Sequence, residues 1–575
     1  MVVFKLLKNV ILFILKELAS FAIKILIVVA ILTGIFIKIS GDREKKVDRI
    51  KDDSYLELNL ASEVAEKGGV TLFSMDGENI NFYNLLKILD SAETDKRIRG
   101  VILKTDDVAL NRAQIEELSD KLTELKEAGK PVYSFSRIMN NRNYYLAVNA
   151  NEIVMPPSRG SSIDLKGYYT ESRYLKRLTD KVGVKYNVIH VGDYKAFGET
   201  YVREDMSPER KADLTRILDT IYDEFVERVA EKRNLPKTIL NRKILDGEFV
   251  LADPFKLKKE RLIDNLEYYH EFLENRGIEN VVSLGEYSKN VPGKKEAKDK
   301  IAVVYAEGNI LYSAQRSPKE IITPENLIKE LEMAGENPDV KGIVLRVDSP
   351  GGSALASEVI NAKMKEIGKP IYISMGGTAA SGGYYISSAG QRIYASRGTV
   401  TGSIGVVSII PNFSEVSEKL GVKTEIIQKG KFAGIYSLFN EMSDEERERI
   451  YESSLGVYEE FKERVSGGRG IDGDSLEKIA GGRVWLGEEA AENGLVDEIG
   501  GIEDAIEGMA KYLELEEYSV IEVRDEKPLE RFFMSYNYMS RIYSRVMAVV
   551  SGDEKAEIEE NELLVRPVMY LPYKI

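Results

Sequence analysis

Ser381 lies in the run MGGTAASGGYYISSAG, between two alanines and two glycines and just after the strand-like IYISM. Small neighbours let a peptide backbone approach closely, and Gly382-Gly383 permits a tight strand-to-helix turn. Such a turn exposes a hydroxyl and aims backbone N–H groups at one point. That is the logic of a nucleophile elbow, although the G-x-S-x-G pattern is absent. Taken alone, A-S-G-G is also what a plain packing turn looks like. A second glycine turn, DSPGGS at Asp348–Ser353, follows the apolar run GIVLRV. Pro350 fixes φ there, and Gly351-Gly352 can present an N–H outward. Two converging donors, from Gly352 and Gly382, would form an oxyanion hole, each worth ~3 kcal/mol in a transition state. The same turn would also serve to bind phosphate or simply to connect elements.

A serine nucleophile needs a base, and the choices are few. The chain has no cysteine and two histidines, His190 in NVIHVGDYK and His270 in LEYYHEF. Both sit in contexts that read equally well as structural. A lysine serves instead if burial lowers its pKa from about 10.4 toward 7–8 and leaves a neutral amine. Most lysines are solvated, so composition does not choose one.

The choice comes from the elements, which occur twice. GVILKTDD at Gly100–Asp107 resembles GIVLRVDS at Gly342–Ser349, each a short apolar run ending in a polar turn, as buried parallel strands do. An amphipathic stretch comes next in both, closed by Gly-Lys-Pro before a further strand. Tyr144-Tyr145 matches Tyr384-Tyr385, and Val182–Lys195 matches Leu420–Ala433 without a gap. Two long helices come after these, SPERKADL… and SDEERERI…, and then DGEFVLADPFKLKKERLID against GGRVWLGEEAAENGLVD. Alternating strands and helices, repeated, predict an α/β protein with two mainly parallel sheets. In this match Lys195 of GDYKAFGE falls opposite Ala433, and Ser381 falls opposite Asn141. The first copy also has Asp107-Val108-Ala109 where the second has Pro-Gly-Gly. One copy thus holds a lysine without a serine and the other a serine without a lysine, as a composite site would. The expected division is an anchor and stalk over residues 1–50, a first copy over 51–295, a second over 296–524, and a tail over 525–575.

With 575 residues, 43% of them apolar, the chain can bury more than one core. A net charge of −14 gives no overall basic field, so nucleic acid is a poor partner. The absence of cysteine excludes disulfides, thiolate zinc sites and a Cys nucleophile. Phe21–Ile37, FAIKILIVVAILTGIFI, carries the single charge Lys24 and reads as a short spanning helix. No small-x-small cleavage site comes after it, which favours an uncleaved anchor over a signal peptide. Basic residues flank it on both sides (Lys5, Lys8 and Lys16; Lys38, Arg43, Lys45, Lys46, Arg49 and Lys51), so charge counting does not orient it. Phe532–Val550, rich in Met and Tyr, reads as an interfacial, subunit-contact or plain packing helix.

The runs RVDSPGGS, AASGGYYIS, TGSIGV, GRVWLGEEAAENGLVDEIGG and GDYKAFGE resemble the long, tandem form of the signal peptide peptidase A family over about residues 50–520. The resemblance implies two tandem Clp-protease/crotonase-like domains behind an N-terminal transmembrane helix. It implies Ser381 as nucleophile and Lys195 as general base, with Ser403 of TGSIGV holding the lysine amine. It implies a single-pass protein of the cytoplasmic membrane whose catalytic domains face the extracytoplasmic side. Its partners would be liberated signal peptides and further copies of itself in a tetramer-like bowl. No metal or organic cofactor is required. One departure is the Asp of DSPGGS, where family members often have Asn. Two rival readings remain at this level: a catalytically silent membrane scaffold, in which Ser381 never acylates, and an acyl-CoA enzyme on the same fold, which a CoA matrix would retain.

Overall fold

The computed structural model describes residues 50–61, 64–67, 80–291, 296–313 and 321–525, and the backbone of 568–570. The expected anchor at Phe21–Ile37 and the Met/Tyr-rich run at Phe532–Val550 both lie outside the described residues. So does part of the expected boundary near residue 295. Among the described residues no helix is long and apolar enough to cross a membrane.

Both copies build the same six parallel strands, and in the second the sheet also carries Val400–Gly402 and the antiparallel Val484–Leu486. In the first the spatial order is Asn265–Leu266, Glu152–Met155, Val132–Phe135, Ile98–Lys104, Ser54–Asn59, Asn280–Ser283, all parallel. In the second it is Glu498–Ile499, Arg392–Ala395, Ile371–Ala380, Val340–Ser349, Lys300–Glu307, Ser519–Glu522, again parallel. The interior strands bury both faces, which is why they read as continuous apolar runs such as GVIL and GIVL. The duplication extends to single hydrogen bonds. Tyr144 donates to the Leu262 carbonyl and Tyr384 to that of Leu495; the Ile153 N–H donates to Asp264 and the Ile393 N–H to Asp497.

The helices begin where the sequence supplies caps. Ser207 caps Pro208–Lys232 with proline in the first turn, and Ser443 with Glu446 makes a capping box for Asp444–Arg469. The two copies share a core, in which Leu86, Leu118 and Tyr144 of the first belong to one cluster with Val303, Val344 and Met509 of the second. They are also pinned by charge. Arg346, wholly buried in the strand Val340–Ser349, donates to Glu66 at 3.0 Å and to Glu117 at 2.8 Å, both from the first copy.

A third sheet crosses between the copies. Lys185–Val191 of the first pairs antiparallel with Val406–Asn412 of the second, from Lys185 opposite Asn412 to Val191 opposite Val406. On the far side of Val406–Asn412 runs Val568–Tyr570, which also lies antiparallel to Gly351–Ser353. The matching stretch of the second copy, around Ile427, forms no strand and is exposed.

Candidate active site

Ser381 enters at the end of Ile371–Ala380 and caps the short helix Gly382–Ser387. Its backbone is strained, with φ 56° and ψ −118°, a region that a residue with a β-carbon seldom visits. The turn is held by two bonds: the Ser381 N–H donates to the Gly402 carbonyl at 2.8 Å, and Ser381 O accepts from the Tyr385 N–H at 2.8 Å. The side chain is buried, and its Oγ lies 2.8 Å from Lys195 Nζ.

Lys195 comes four residues after the cross-copy strand, so the pairing of Lys185–Val191 with Val406–Asn412 carries it into the second copy. Its amine donates to the Ser403 carbonyl at 2.8 Å and lies 2.9 Å from Ser403 Oγ. Ser403 also has a positive φ, 53°, which turns both of its oxygens onto the amine. Lys195 is wholly buried, and this loss of water pushes its pKa well below the usual lysine value. The two N–H bonds of a neutral amine can be spent on Ser403, leaving the lone pair facing Ser381. The arrangement can therefore take a proton from a serine hydroxyl at a lower pH than a solvated lysine could.

The two glycine turns meet beside this pair. A β-carbon on Gly382 would lie 3.1 Å from the Gly352 amide nitrogen, and one on Gly352 would lie 2.0 Å from the Ile310 carbonyl oxygen. Gly352 also has φ 151°, so no other residue fits. The structure thus brings Ser381, Lys195, Ser403, Gly352 and Gly382 to one place. Neither histidine joins them in the same way. His190 is exposed with Nδ1 3.1 Å from the Gly192 carbonyl, and His270 is exposed and stacks on Tyr268. His190 does share a cleft of about 290 Å³ with Lys195, Asp193 and Phe197.

Sequence reasoning missed the seat of the lysine loop. Tyr194 N–H donates to the Gly481 carbonyl at 2.9 Å, and a β-carbon on Gly482 would stand 2.4 Å from Lys195 N. Arg483 lies over the Tyr194 ring at 3.7 Å and donates to its hydroxyl at 2.6 Å. The signal was present: AGGR puts two adjacent glycines before a strand, as close backbone approach requires.

A family model described as peptidase family S49 matches residues 124–287 and 363–516, and one described as Clp protease matches residues 293–399. Protease 4 of Haemophilus influenzae is 32% identical over 497 residues, covering 80% of this chain and 79% of that protein. A chloroplastic serine protease SPPA of Arabidopsis thaliana is 30% identical, covering 80% and 69%. A putative signal peptide peptidase SppA of Enterococcus faecium is 38% identical over 211 residues, covering 36% and 61%.

Proposed function

The chain belongs to peptidase family S49 and is a serine peptidase, and from that premise we propose that it is a membrane-anchored endopeptidase that degrades signal peptides after their release. In this reading Ser381 is the nucleophile and Lys195 the general base. The observation that carries it is the 2.8 Å separation of Nζ and Oγ at a buried spot.

Neutral Lys195 takes the Ser381 proton as Oγ attacks the scissile carbonyl. The Gly352 and Gly382 N–H groups receive the oxyanion. The ammonium, held by Ser403, gives its proton to the departing amine. Water, activated by the same lysine, then hydrolyses the acyl-enzyme. Residues 51–295 supply the base and residues 296–524 the nucleophile, so neither copy is competent alone. In this reading an extended peptide binds as a strand in the place that Val568–Tyr570 of the chain itself takes, antiparallel to Gly351–Ser353.

The anchor is Phe21–Ile37, with the catalytic body on the extracytoplasmic side. Assembly into a ring of identical chains is supported by one asymmetry. Ile189 is buried at 4% exposure beneath the cross-copy pairing, whereas its counterpart Ile427 is fully exposed, and Leu420 and Val422 earlier in the same stretch are largely exposed. The counterpart of Val406–Asn412 in the first copy, residues 168–174, also lies in no strand. Pairing these two stretches between neighbours repeats the internal contact head to tail, and such a contact makes a ring when its rotation closes on itself.

Ser381→Ala and Lys195→Ala should each abolish cleavage of an apolar peptide while leaving assembly intact. Wild-type turnover in either variant refutes the assignment. The rate should rise with pH as the lysine loses its proton, and His190→Gln should leave that limb in place. A limb near 6.5 that disappears with His190 would make histidine the base.

A further inference from the structure

The strand that delivers Ser381 is not regular. Beside Val340–Ser349 its register runs evenly from Ile343 opposite Ile371 to Val347 opposite Met375, and then resumes at Ser349 opposite Ala379. Asp348 therefore faces three residues, Gly376, Gly377 and Thr378. Beyond this bulge the strand takes a different neighbour, with Thr378, Ala379 and Ala380 opposite Val400, Thr401 and Gly402. A bulge bends its strand and re-aims the residues beyond it. Here the re-aimed residue is Ser381, whose N–H reaches Gly402, one residue from the Ser403 that holds the Lys195 amine. Without the bulge, Ser381 would continue along the main sheet.

A bulge leaves backbone groups without ladder partners, and each must be satisfied in another way. Side chains supply those partners. Asp348 Oδ1 accepts the Thr378 N–H at 2.8 Å, and Thr399 Oγ1 donates to the Gly376 carbonyl at 2.9 Å. Thr401 Oγ1 donates to the Ala379 carbonyl at 2.7 Å, and Arg346 Nη1 donates to that of Met375 at 3.1 Å. The fit is close: a β-carbon on Gly376 would lie 2.9 Å from the Asp348 β-carbon.

We propose that Asp348 and Thr399 are positioning residues for the reaction: they fasten the Gly376–Thr378 bulge and so hold Ser381 Oγ against Lys195 Nζ. This rests on Ser381 and Lys195 being the catalytic pair. Neither residue touches the reacting atoms, so their effect appears in the rate of the chemical step and not in peptide binding. A displacement of about 1 Å at a nucleophile costs on the order of 100-fold in rate.

The test uses the full chain in detergent with a fluorogenic apolar peptide, and separately the rate of Ser381 acylation by a fluorophosphonate probe. Thr399→Val, nearly isosteric, should lower kcat tenfold or more with KM changed less than about threefold. Thr399→Ser, which keeps the donor, should restore most of that rate. Asp348→Leu should act in the same way, and Asp348→Asn, which keeps an acceptor for Thr378, should retain kcat. Acylation rates should track kcat. Should Asp348→Leu fail to fold, the Thr399 pair decides the matter. Unchanged kcat in Thr399→Val, or a loss that Thr399→Ser does not repair, overturns the inference. Ser381→Ala in parallel separates the two levels: activity there sinks the catalytic assignment itself, whereas an inactive Ser381→Ala beside a fully active Thr399→Val sinks only the positioning role.

Discussion

Lys195, the proposed base, shows what burying an amine costs. Unfolded, a lysine keeps its proton up to about 10.5, whereas buried Lys195 gives it up well below that value. Between those limits the unfolded chain holds one more proton, so stability rises with pH across the window and is lowest below it. At neutral pH the buried amine therefore subtracts from stability in exchange for function. Lys195→Met should be inactive yet melt a few degrees higher at pH 7, and its advantage should shrink as pH climbs toward 10.5. Thermal melts of both proteins across pH test this; equal Tm at pH 7 would mean that the amine carries no burial penalty. Asp348 is a second perturbed group. Dense surroundings and the neighbouring Glu66 push its carboxyl up to about 7, against the pull of Arg346.

At the scale of elements, the site depends on turns in which only glycine fits. The lysine loop rests on Gly481-Gly482 of the other copy, and Gly482 combines φ 86° with its 2.4 Å approach to the Lys195 nitrogen. Gly482→Ala should push the loop away and lower kcat by about 100-fold while the long helices keep their circular-dichroism signal. Full activity would show that the loop has another support. The strand Lys185–Val191 makes a complementary point. Its sequence is close to that around Ile427, yet one forms a strand and the other does not. Strand formation here depends on the availability of a partner edge, not on intrinsic propensity.

For the whole molecule, the two copies share a core cluster and the first lends one strand to the second, so Ser381 and Lys195 lie 186 residues apart in sequence and in hydrogen-bond contact in space. The unpaired Ile427 edge is where the same exchange would continue into a neighbouring chain. Ile427→Asp should convert the proposed ring into smaller species by size-exclusion chromatography with light scattering, while each chain keeps its internal Ser381–Lys195 pair. An unchanged mass would remove that edge from the interface.

The repeat and the two mainly parallel sheets were legible in the sequence, and Ser381, Lys195, Gly352 and Gly382 were singled out there, with Ser403 coming from the family resemblance. They rest on apolar runs bounded by glycine and proline and on paired motifs in which one copy keeps what the other lacks. Tertiary structure alone showed that Lys195 Nζ reaches Ser381 Oγ, because the contact forms through an antiparallel pairing between distant segments. It alone showed the bulge at Gly376–Thr378, since a register shift depends on the neighbouring strand. It also distinguished Ile189 from Ile427, two like residues in like sequences. Burial is a property of what packs against a segment, and no window of sequence contains its own partner.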